Sequence, residues 1–185
     1  MAQRPFPARS LRLAERRLVE RQLGRLPYFR SRLRISAARD LDRRGLHAAS
    51  FLPQRRVVVD PALLSKPREL ARILYHEVFH FVWARLGNPL RQSYEEVLGQ
   101  EWVEGARGEL GWPSEQRKRA LRGGRSRRPA GRPWREYVCE SFCDSAAWFC
   151  LGGRPEHEEW TLKPRFRRRR QRWFLAADLL PRLRL

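Results

Sequence analysis

His76, Glu77 and His80 stand in the order His-Glu-Val-Phe-His, a pattern whose residue types and spacing suit metal-assisted hydrolysis. On an α-helix, residues four apart differ by about 40° around the axis, so both imidazoles leave the same face one turn apart. Two such nitrogens can reach a single Zn²⁺ at about 2.0–2.1 Å. Glu77 lies about 60° from the His80 direction, where it can take a proton from water at the metal.

A catalytic zinc needs a third protein ligand and a position left open for water. The remaining histidines, His47 and His157, do not follow the motif closely, so carboxylates are the better candidates. Glu140 is preferred because Asp144 lies one turn beyond it and Tyr137 about one turn before it. That face would present Glu140 as ligand together with the phenol of Tyr137. Asp144 would accept the far N–H of a ligating histidine and fix its tautomer. Cys139, Cys143 and Cys150 share a stripe beside Glu140; they read as small core residues, with a second metal as the alternative.

These residues need elements to hold them. The spacing predicts a helix from Ser65-Pro67 to about Leu86, apolar on almost every side through Leu70, Ile73, Leu74, Val78, Phe81, Val82 and Trp83. A helix of that kind sits in the interior, where two histidines and a glutamate are costly unless paired or ligated. A second helix over about Trp134 to Leu151, ended by Gly152-Gly153, carries Glu140. Strands are expected at 32–36 and 55–59, the second β-branched and closed by Asp60-Pro61. Further helices are expected from a Ser10 cap to about Leu26, and from about Arg91 to Leu110. Residues 114–133, with Gly123, Gly124, Gly131 and two prolines among many basic residues, read as a short basic helix and a mobile basic loop. Residues 163–185 read as a basic amphipathic C-terminal helix.

The motif helix followed by a helix with Glu140 and Asp144 resembles the gluzincin metallopeptidases, the thermolysin-like group. The small single-domain members and the related domains of lethal-factor-like proteins are closest in size. The resemblance covers about residues 55–150. It implies zinc held by the two motif histidines and a downstream glutamate that an aspartate follows four residues later. The closer glutamate spacing usual in that group makes Glu101, at 101 − 80 = 21 positions beyond His80, a rival to Glu140, with Glu104 behind it, although Gly105 and Gly108 stand four places beyond these two. The resemblance also implies an oxyanion stabiliser, for which Tyr137 is the first candidate and Tyr94 and Arg135 the others. It also implies an edge strand for extended substrates, a part that Arg56–Val59 would play. The expected fold is therefore α+β and mostly helical. A zincin-like core would place a small sheet before the HExxH helix and a C-terminal glutamate helix after it. Residues 1–9 are expected as a flexible leader and 10–185 as a single zincin-like domain.

The composition bounds the rest. With 185 residues and 11% aromatic side chains, the chain can bury a core and is too aromatic for a disordered one. Forty Lys+Arg against twenty Asp+Glu give a formal charge of +20, and all but Lys66, Lys118 and Lys163 of the basic residues are arginine. Guanidinium forks suit phosphates and carboxylates, so nucleic acid or an acidic partner can meet the Arg-rich segments. No secretory leader or membrane span is visible. The three crowded cysteines form no disulfide framework, which fits a cytoplasmic setting. Two functions are expected from these features. One is a zinc metallopeptidase acting on a peptide or protein substrate. The other is a basic nucleic-acid-associated protein with a structural or auxiliary zinc site.

Overall fold

The computed structural model describes residues 8–24, 33–39, 41, 46–121, 129–153 and 156–179. Among them the fold is α+β, with six α-helices and one small mixed sheet. Two compact units are distinguished: the first reaches Phe81, and the second runs from Val82 to Leu179.

In the first unit, β1 (Arg9–Ser10), β2 (Arg34–Ala37), β3 (Ala48–Phe51) and β4 (Arg56–Val59) form a sheet in the order β1-β2-β4-β3. β4 runs parallel to β2, with Ile35 opposite Val57, and antiparallel to β3, with Ser50 opposite Val57. Val57, Val58 and Val59 are fully buried, which explains an unbroken β-branched run where a half-exposed strand would alternate. The expected edge strand is thus the inner one, and β3 takes the edge. β3 escaped the sequence reading because Ala48-Ala49-Ser50 carries neither β-branched residues nor alternation. Arg55 closes the β3–β4 hairpin with a positive φ of 48°.

α1 spans Leu13–Leu23 rather than starting at Ser10, which belongs to β1. The backbone N–H of Arg12 donates to Glu15 Oε2 at 2.7 Å, so a carboxylate in the first turn closes the helix start. α2, Pro67–Arg85, is the motif helix, with proline in its first position. Leu70, Leu74, Tyr75, Val78 and Phe79 on it are fully buried.

In the second unit, α3 (Asn88–Val103) is started by Pro89 and ends well before the expected Leu110. Gly105 takes φ +69°, its N–H reaches Trp102 O at 3.0 Å, and Ala106 N–H reaches Glu101 O at 2.8 Å. These two bonds make a Schellman stop, which the apolar periodicity running on to Leu110 conceals. α4 (Trp112–Leu121), α5 (Gly131–Cys150) and α6 (Pro164–Ala177) complete the unit. Trp83, at the end of α2, meets Phe142 of α5 with ring centres 5.0 Å apart. Tyr94, Phe142, Trp173 and Phe174 continue the same aromatic core. A second cluster joins Ala106, Leu110, Trp160, Leu162 and Phe166. Residues 122–128, the centre of the expected mobile loop, lie outside the described residues.

The start of α4 is held by carboxylates. Ser114 N–H donates to Asp144 Oδ2 at 3.1 Å, and Trp112 N–H to Glu159 Oε2 at 2.8 Å, supplying acceptors for orphan helix donors. A Cβ on Gly111 would stand 2.2 Å from Asp144 Oδ1. Gly111→Ala should therefore displace Asp144 and destabilise the fold by about 2–3 kcal/mol, read as a lower denaturation midpoint in urea. A midpoint equal to the parent's would contradict this account of the cap.

Candidate metal centre

α2 delivers the two histidines as their spacing requires. His76 Nε2 and His80 Nε2 lie 3.1 Å apart, with the rings edge to face. His76 is buried and His80 half-buried. The imidazole donors of this pair fit zinc, which takes histidine nitrogen. Two nitrogens at 3.1 Å are close enough for both to reach one ion at bonds of about 2.0–2.1 Å.

Glu77 is buried beside this pair. The hydroxyl of Ser50, on the edge strand β3, lies 2.5 Å from Glu77 Oε2 and 2.8 Å from the Glu77 carbonyl oxygen. Ser50 thereby ties the sheet to the motif helix and limits the rotamers open to the Glu77 carboxylate. Sequence reading missed Ser50, since only the antiparallel pairing of β3 with β4 brings it to the helix.

On α5, Glu140 is half-buried and pairs with Arg117 of α4 at 3.5 Å. Burial first, and then the neighbouring Cys139 thiol, push the Cys143 thiol well above its ordinary value. Asp144 is the acceptor at the start of α4.

Other expected site residues belong to a buried polar network within the second unit. Arg170 of α6 is fully buried and holds two carboxylates: Glu101 Oε2 at 2.7 Å and Glu109 Oε2 at 2.6 Å. Lys118 Nζ adds a contact of 2.7 Å to Glu109. Two cations thus balance two carboxylates, the condition for burying charge at tolerable cost. Glu101, the rival third ligand, is committed here to Arg170. Glu104 pairs with Arg169 at 2.6 Å.

Tyr137 belongs to the same network. Its hydroxyl donates to Glu109 Oε1 at 2.6 Å in the interior. Burial, reinforced by Glu109, holds this phenol well above its ordinary value. Tyr94 likewise bonds Ser141 and Ser145 inside the unit, and Arg135 is exposed on α5.

No family model, curated protein or solved structure matches the chain. The thermolysin-like reading therefore rests on its own residues.

Proposed function

We propose that the chain is a zinc-dependent metallopeptidase in which His76, His80 and Glu140 hold the ion. The observation that carries this reading is the His76–His80 pair, whose Nε2 atoms lie 3.1 Å apart next to the buried Glu77. Three protein ligands of mixed nitrogen and oxygen type leave a position for water, the arrangement of catalytic rather than structural zinc. When bound, the ion supplies a Lewis acid that polarises a scissile carbonyl and acidifies water. Glu77, adjacent to a ligand but outside the ligand group, takes the proton from that water and returns it to the leaving amine. Ser50 holds the Glu77 carboxylate in place, and Arg117 does the same for Glu140. A hydrolase of the thermolysin-like type is the class that these roles define.

Cys139 and Cys143, one turn apart on α5, support a second reading, a structural or auxiliary zinc held by thiolates. The two are separated by metal content. The purified chain should carry about one zinc. His76→Ala should lose it, and Glu140→Gln should weaken it, because a neutral amide replaces an anionic ligand. A Cys139→Ser, Cys143→Ser double variant should keep it. Zinc retained in His76→Ala but lost in the cysteine variant would replace the catalytic reading with the structural one.

A further inference from the structure

α6 carries six arginines and no acidic residue. Its inner side is accounted for: Phe166, Arg170 and Phe174 are buried, and Arg170 is neutralised by Glu101 and Glu109. Arg167 pairs with Glu156 at 3.2 Å and Arg169 with Glu104 at 2.6 Å. The outer side differs. Arg165, Arg168 and Arg172 are exposed, and none makes an ion pair among the described residues. At 100° per residue they fall within about 60° of arc. With Arg169, Gln171 and Leu175 they line a surface cavity of ≈ 420 Å³.

We propose that this face of α6 is a docking surface for the phosphate backbone of a nucleic acid. Arg165 to Arg172 spans about 10 Å of helix axis, a length over which one strand of a duplex carries about three phosphates. Each guanidinium presents a planar fork that fits phosphate oxygens two at a time. The face is polar and of one sign, as protein–nucleic acid interfaces are. It lacks the aromatic anchors that mark protein–protein interfaces. A membrane surface fits less well, because the apolar residues that would enter a bilayer boundary, Phe166 and Phe174, face inward. Leu175 is the one large apolar side chain exposed on the described part of α6. The chemistry is that of the backbone, so the face reads no base sequence. The surface lies within the second unit and does not depend on the metal site.

The test is binding of the full chain to fluorescently labelled 20-base-pair DNA and RNA duplexes across a salt series. The triple variant Arg165→Gln, Arg168→Gln, Arg172→Gln is compared with a control, Arg16→Gln, Arg17→Gln, Arg21→Gln, which removes equal charge from exposed positions on α1. The parent should bind with a steep salt dependence. The α6 variant should bind about 100-fold more weakly near 0.15 M salt, with the slope of log K against log salt reduced by about 2–3. The α1 variant should retain most of the affinity and the slope. Equal losses in both variants would reduce the effect to net charge and overturn the proposal. So would a parent that fails to bind either duplex. Phosphatidylserine vesicles and polyglutamate serve as competitors, and displacement of the duplex by either at lower charge concentration than unlabelled duplex would likewise overturn it. Circular dichroism of both variants, matching the parent, establishes that folding is unchanged.

Discussion

Glu77→Gln should leave the protein folded and its zinc in place while peptide cleavage falls by about 10²-fold or more. The direction follows from position. Glu77 adjoins His76 and its carboxylate is bonded by Ser50, so in the proposed site it acts on water rather than as a ligand, and replacing it with a near-isosteric amide removes a proton acceptor without removing a ligand. The magnitude is that of general acid–base assistance, about 10²–10⁴-fold. Loss should appear in kcat and kcat/KM alike, because the proton moves in the transition state and not on substrate binding. Ser50→Ala is the companion variant. It takes away the hydroxyl 2.5 Å from Glu77 Oε2 and should lower kcat by about tenfold, the effect of a less well-positioned base. The assay is cleavage of a mixed peptide library with zinc content measured on the same samples. If Glu77→Gln cleaves like the parent, the base is misassigned even if zinc is bound.

Arg170→Met should strongly destabilise the fold. The substitution keeps volume and removes the cation that holds Glu101 and Glu109 in the interior. Breaking one side of a buried ion pair costs about 3–5 kcal/mol, against a total stability of about 5–15 kcal/mol for a typical domain. Urea unfolding measures the loss, and an unfolding free energy within about 1 kcal/mol of the parent's would contradict this account. The same network predicts an acid limb. Burial pushes the Glu109 carboxyl up, but the charges of Arg170 and Lys118 outweigh it and lower it from 4.5 to about 2. A carboxyl depressed by folding contributes stability that is complete above the unfolded value and lost as pH falls through the folded one. Stability of the parent should therefore decline between about pH 4.5 and 2. Glu109→Gln should be less stable at neutral pH and should lose this component of the decline.

Much of the candidate site could be read from the chain because it depends on near neighbours. The His76–His80 spacing and the rotation of Glu77 follow from helical periodicity alone. The helix itself is announced by Pro67 at its start and by apolar residues on almost every side. The Val57-Val58-Val59 run marked a strand, and Gly152-Gly153 marked the end of the helix that carries Glu140. Composition likewise showed an arginine-rich chain with a packed core.

What the sequence left open was settled by contacts between residues far apart in the chain. Glu101 has no partner that the sequence can name, and α6 brings Arg170, 69 positions away, to it. Tyr137 shared a helix face with Glu140 on paper, yet its hydroxyl meets Glu109, 28 positions away. Ser50 reached Glu77 only through the pairing of β3 with β4. Arg170 sits in a run of four arginines that periodicity reads as solvated, but it is fully buried. The physical reason is common to all four. Backbone torsion and side-chain period are local and survive in any short window of sequence. The partner of a buried charge is fixed by the balance of desolvation and pairing, and that balance exists only once distant segments have packed together.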